Sequence, residues 1–223
     1  MTWIDSHVHI WTQDTNRYPA GDFDVSTLQP KEFTPEWLFR HCRPFDVSRI
    51  VLVQGIYGFD NSYMLDTAER YPGVFGIVAT IDHVSRNPKE RMDELKERGV
   101  QGFRIVASPG KSQNWLDDNG YETMFRTAAD NNQAICPLTH PEGLPDLDRM
   151  CGKHPETTIV VDHMARIGEL GPIEEEKINQ LCKLAGHPNV HVKISRLHSL
   201  GDKKPPHQEL IPMIKRVIDS FGP

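Results

Sequence analysis

Short apolar runs rich in β-branched residues alternate with amphipathic stretches from one end of this chain to the other, and that alternation limits the fold more than any other feature. Seven runs read as strands: residues 2–10, 49–54, 75–81, 101–106, 134–138, 157–162 and 190–195. Ile50-Val51-Leu52-Val53 and Ile159-Val160-Val161 are continuously apolar, as expected of parallel strands buried on both faces. Between the strands, Tyr121, Met124, Phe125, Ala128 and Ala129 fall at helical spacing, and Ile178, Leu181, Cys182 and Ala185 do so more loosely. Leu210, Ile211, Ile214, Val217, Ile218 and Phe221 form the stripe of a seventh helix. Thr34-Pro35, Asn87-Pro88 and Gly171-Pro172 place proline at or near helix starts, where a missing N–H costs little.

Repeated strand–helix units without a glycine-rich phosphate loop after the first strand favour an α/β (β/α)8 TIM barrel over a dinucleotide-binding fold. A complete barrel typically takes about 250 residues. The 223 residues here therefore predict one domain spanning 1–223 that lacks strand eight at its C-terminal end. With 25 basic and 31 acidic residues and no basic block, the chain has no footprint for nucleic acid. Its apolar runs are of strand length, too short to span a membrane, and its first residues do not resemble a secretory signal. Cys42, Cys136, Cys151 and Cys182 match neither a metal knuckle nor a disulfide scaffold, so reduced thiols in a cytoplasmic protein are expected.

In a barrel the chemistry sits where the strands end. The first strand closes Asp5-Ser6-His7-Val8-His9, and side chains two apart share one face of a strand. His7 and His9 therefore read either as polar core residues or as a neutral pair that holds a divalent metal. Asp162-His163 closes the sixth strand, and His140 lies just beyond the fifth; each is either a backbone-bonded structural histidine or a site residue.

Taken in series, Ile4-Asp5-Ser6-His7-Val8-His9-Ile10-Trp11, Gly102-Phe103-Arg104, Leu144-Pro145-Asp146-Leu147, Val161-Asp162-His163-Met164-Ala165-Arg166 and Val190-His191-Val192-Lys193-Ile194-Ser195 resemble the amidohydrolase superfamily. The nearest branch is the amidohydrolase-related one, which includes 2-pyrone-4,6-dicarboxylate lactonase and the sugar-lactone hydrolases. The resemblance implies that His7, His9 and His163 are the catalytic and metal-binding histidines, with His140 a fourth candidate ligand. It implies a single zinc or no metal at all, because the pyrone lactonase type works without one. Strand four offers no lysine or glutamate to bridge two ions. The family's remaining essential group is an aspartate at the end of strand eight. The chain ends Ser220-Phe221-Gly222-Pro223 where that strand is expected to begin, so the resemblance assigns the role to no residue here.

Arg104 and Arg166 are candidates to bind an anionic small-molecule substrate through bidentate guanidinium contacts, with Arg196 and Lys193 behind them. Each has a structural ion pair as its competing reading. Tyr57 and Asn61, after the second strand, are candidates to line the pocket, while Asp60 suits a helix cap. The polar stretch from Thr12 to Phe33 reads as a flap over the barrel mouth.

The expected activity is hydrolysis of a lactone of a carboxylated or sugar-derived acid. Zinc-dependent decarboxylation is the alternative within the superfamily, and a truncated barrel that only binds is the alternative outside it. An open barrel would also expose strand edges, which favours association into a homo-oligomer.

Overall fold

The computed structural model describes residues 2–107 and 114–222. Its contacts gather into two compact units, Met1–Asp82 with Glu90–Arg104, and His83–Lys89 with Ile105–Pro223. The division falls inside the fourth strand, between Arg104 and Ile105.

The first unit holds β1 (Trp3–Val8), β2 (Val47–Val53), β3 (Phe75–Ala79) and the first five residues of β4 (Val100–Val106). They run parallel in chain order, with Ile50 opposite Phe75 and Val53 opposite Val78. The helices α1 (Pro35–Cys42), α2 (Ser62–Arg70) and most of α3 (Pro88–Glu97) connect them. Thr34 caps α1 by accepting from the Trp37 N–H, with Pro35 in the first turn, as the Thr-Pro pair predicts. Ile50, Leu52, Ile77, Met92, Leu95 and Phe103 are almost wholly buried and make up the core of this unit.

The second unit holds the end of β4, then β5 (Ala134–Leu138), β6 (Thr158–Val161) and β7 (Val190–Val192). The Ala107 N–H donates to the Leu138 carbonyl at 3.0 Å, Ala134 faces Thr158, and Ile159 faces Val190. Its helices are α4 (Asn119–Asn131), α5 (Leu144–Lys153), α6 (Glu175–Lys183) and α7 (Ile211–Phe221). The expected α4 stripe is buried at Tyr121, Met124, Phe125 and Ala128, and Asp118 caps the helix by accepting from the Gly120 N–H. No helix among the described residues is long and apolar enough to cross a membrane.

All seven expected strands form, and two of the sequence expectations change. At α7 the buried positions are Met213 and Val217, with Leu210 just before the helix, while Ile211 and Ile218 are 45% and 40% exposed. The inward stripe runs at i, i+3 and i+7, which turns those two isoleucines away. The last strand ends at Val192 rather than at Ser195: the Lys193 N–H still donates to the Val161 carbonyl at 2.9 Å, but the Lys193 and Ser195 side chains turn to Asp162 and His163, the residues that follow β6.

Candidate functional site

Parallel strands end on a common edge, so the candidate residues of each unit collect at the carboxyl ends of its strands. In the first unit the Asp5 carboxylate accepts from the His7 N–H at 3.0 Å, a local turn that coincides with the register break between Asp5 and Val8. The His7 and His9 rings meet edge to face with centroids 5.1 Å apart. His9 Nδ1 lies 2.6 Å from the Val53 carbonyl at the end of β2. A carbonyl only accepts, so Nδ1 carries the proton and the ring lone pair falls on Nε2. Metal-ligating histidines are commonly fixed in this way.

Gly55 makes that position possible. A Cβ there would stand 2.9 Å from His9 Cε1 and 3.1 Å from Arg104 Nη1, inside contact distance. The local sequence carries no sign of this constraint, because the two side chains concerned come from other strands. Gly55→Ala is expected to displace His9 and lower kcat by about 100-fold while the melting temperature moves little, since misplacing a reacting group by about 1 Å can cost that much. Steady-state kinetics and thermal unfolding of the same preparation check it.

The polar atoms of Tyr57 and Asn61 engage backbone. The buried Tyr57 hydroxyl accepts from the Thr12 N–H at 2.7 Å and donates to the Thr12 carbonyl at 3.1 Å, and burial raises its pKa. Asn61 donates to the Phe59 and Thr80 carbonyls and accepts from the Thr80 N–H, tying the loop after β2 to the end of β3. Asp60 accepts from the Ser62 N–H at the start of α2. Gln54, which sequence reasoning passed over, organises the loop: its Oε1 accepts from the N–H groups of Gly55, Ile56 and Tyr57. Arg104 is buried, and its Nη1 donates to the Gln54 carbonyl at 3.2 Å.

The stretch after β1 is a closed loop. Paired backbone bonds between Trp11 and Phe33 form its neck, and its body is fastened to α2 by Arg17 and Tyr18 on Asp66.

In the second unit β6 ends in an unusual turn. His163, Met164, Ala165 and Arg166 all have φ between 50° and 55°, four consecutive non-glycine residues in the left-handed region. That conformation costs about 1–2 kcal/mol per residue, so the surroundings must impose it. Met164 and Ala165 are fully buried, and the Met164 N–H donates to the Lys193 carbonyl at 3.1 Å. The turn carries His163 and Arg166. His163 Nδ1 lies 2.7 Å from Ser195 Oγ; with the hydroxyl accepting, the His163 lone pair also falls on Nε2. Asp162, fully buried, pairs with Lys193 Nζ at 3.1 Å.

His140, just past β5, is also buried, and its Nε2 lies 3.2 Å from Arg166 Nη1. A guanidinium only donates, so His140 Nε2 accepts from it; burial, and after it the Arg166 charge, hold the His140 pKa below the usual histidine value. His154 is lowered by burial as well. An imidazole whose pKa falls on folding binds its proton more readily in the unfolded chain. Stability contributed by these two rings is therefore complete above about pH 6.5, the ordinary histidine value, and declines as the pH drops below it. The melting temperature is expected to fall between pH 7 and pH 5.5, and His154→Gln is expected to flatten that slope in a calorimetric series.

The donor chemistry fits a divalent ion. His9 and His163 each have one ring nitrogen fixed from outside, and imidazole nitrogens held in this way suit zinc. His140 differs, because its Nε2 faces a guanidinium.

Comparison with known proteins agrees with this architecture. The L-fucono-1,5-lactonase of Burkholderia ambifaria is 28% identical over 98% of this chain and 76% of its own length. The 4-sulfomuconolactone hydrolase of Rhizobium radiobacter is 27% identical over 93% of this chain and 68% of its own. Among solved structures, an amidohydrolase from Burkholderia multivorans with bound zinc superposes with a TM-score of 0.82 at 21% identity, covering 100% of this chain and 81% of that one. Likeness at that identity shows the fold: an α/β barrel of the TIM type, with seven of its strands among the described residues. The family model for amidohydrolases matches residues 4–223, and the chain therefore belongs to the amidohydrolase family.

Proposed function

We propose that this protein hydrolyses the lactone of a small carboxylated or sugar-derived acid. The observation that carries the reading is the pair of fixed imidazoles at strand ends: His9 on the Val53 carbonyl and His163 on Ser195. The similarity to two enzymes named for lactone hydrolysis, over nearly the whole chain, supports it.

In that reaction a water oxygen adds to the ring carbonyl, the ring C–O bond breaks, and the departing alkoxide takes a proton to give the open hydroxy acid. His7, His9 and His163 are assigned as nitrogen donors for one divalent ion, zinc by preference, three protein ligands being the usual number at a catalytic zinc. When bound, that ion polarises the carbonyl and lowers the pKa of water to about 7. In a metal-free form the same rings, protonated at Nε2, would donate to the developing oxyanion. His140, which accepts from Arg166, is assigned to orient that guanidinium. Arg166 meets an anionic group of the substrate as a two-pronged donor. Arg104, Tyr57 and Asn61 hold the loops that shape the pocket.

The four cysteines carry free thiols, which supports a cytoplasmic setting. Trp3 and Ile4 on β1 are 61% and 51% exposed, apolar surface that supports self-association into a homo-oligomer.

A panel of sugar and carboxylated lactones, assayed for acid release with and without added zinc, tests the reading. Ring opening of at least one member is expected. Release of carbon dioxide from a carboxylated substrate without ring opening would replace it with the decarboxylase alternative, and inertness in both assays would leave a binding protein.

A further inference from the structure

The loops leaving β5, β6 and β7 in the second unit meet at one carboxylate that the reading above does not use. Glu169 is only 13% exposed. Its Oε1 lies 3.0 Å from Arg196 Nη2, and its Oε2 lies 3.4 Å from Arg166 Nε and 3.7 Å from His140 Nε2. The backbone fixes the same residue: Lys203 Nζ donates to the Glu169 carbonyl, and the Gly201 N–H donates to the Gly168 carbonyl, both at 3.0 Å. Gly168 permits this with φ of 88°, where a Cβ would stand 2.8 Å from Ile173 Cγ1.

The charge count is what matters. Among the described residues that meet at the Glu169 carboxylate, two guanidiniums against one carboxylate leave one net positive charge; Lys203 and Glu142, one of each sign and both exposed to solvent, border the cluster and offset each other. Arg196 has a 35% exposed side chain, and among the described residues its Nε and Nη2 are engaged by Ser199 and Glu169. Such a cluster can balance one substrate carboxylate. A second would face Glu169 at close range, and like charges juxtaposed in a partly buried site cost several kcal/mol.

We propose that Glu169 is a specificity-determining residue that tunes the site for substrates carrying a single carboxylate and against dicarboxylates. The substrate class rests on the lactone reading; the charge selectivity does not. Removing the Glu169 charge raises the cluster to two net positive charges and admits a second carboxylate, whereas removing the Arg196 charge lowers it to zero and favours a neutral ring.

The test measures kcat/KM for neutral, monocarboxylated and dicarboxylated lactones, and in parallel the calorimetric affinities of butyrate and glutarate, which need no turnover. Wild type is expected to prefer the monoanion in both. Glu169→Gln is expected to move the dianion-to-monoanion ratio about tenfold toward the dianion, and Arg196→Gln to move selectivity toward the neutral ring by a similar factor. Glu169→Asp keeps the charge and is expected to hold the ratio within about twofold even where kcat falls, which a purely structural role would not distinguish from Gln. An unchanged ratio in Glu169→Gln overturns the proposal, as does a wild type that prefers dianions. If Glu169→Gln does not fold, Arg196→Gln decides alone, and unchanged selectivity there overturns it equally. Affinities that follow this pattern without any lactone turnover would keep the charge rule and sink only the hydrolase reading.

Discussion

His163→Ala is expected to reduce kcat/KM on a responsive lactone by about a thousandfold, within the range for losing a positioned acid–base or oxyanion-stabilising group. The ring is held by Ser195, three residues past the end of β7, on a turn whose backbone is fixed by the burial of Met164 and Ala165. Truncation at Cβ therefore removes the imidazole and leaves its support in place. The control is Ser195→Ala, which keeps the ring and removes its anchor. A loss of about 10 to 100-fold is expected there, the range seen when an outer partner of a ligating histidine is removed. Equal activity in wild type and His163→Ala would remove His163 from the chemistry, provided both proteins unfold at the same temperature.

The second large effect is on stability. Asp162 is fully buried and Lys193, 11% exposed, meets it at 3.1 Å. Lys193→Met keeps the aliphatic volume and deletes the cation. Breaking one side of a buried ion pair typically costs about 3–5 kcal/mol, because the remaining charge stays out of water. At about 2–4 °C per kcal/mol for a chain of this size, the melting temperature is expected to drop by roughly 10 °C. Asp162→Asn combined with Lys193→Met should recover most of the loss. A single variant that melts with wild type would show that the pair is not what holds β6 to β7.

How much was legible in advance follows from where each signal resides. Strand periodicity is local, and β5 forms over 134–138 as its apolar run predicts. The HxH motif ends β1 for the same reason. The left-handed turn after β6 could not be read, because Asp162-His163-Met164-Ala165-Arg166 contains no glycine and nothing local asks for positive φ. Tertiary packing imposes it. Lys193 and Ser195 looked like a strand continuation and instead turn to Asp162 and His163, partners that lie 31 and 32 residues earlier in the chain. Glu169 resembles any surface acid until two arginines from different loops are seen on it. Gly55 likewise gains meaning only beside His9.

The left-handed turn has a further consequence, for folding kinetics. A segment whose isolated backbone prefers the opposite hand cannot form early, since its stabilising contacts exist only after β6 has paired with β7 and closed over Met164. The segment that bears His163 and Arg166 is thus expected to assemble among the last and to open among the first. Substitutions within it should register in the unfolding rate far more than in the folding rate, so that loss of competence precedes loss of fold when the protein is stressed.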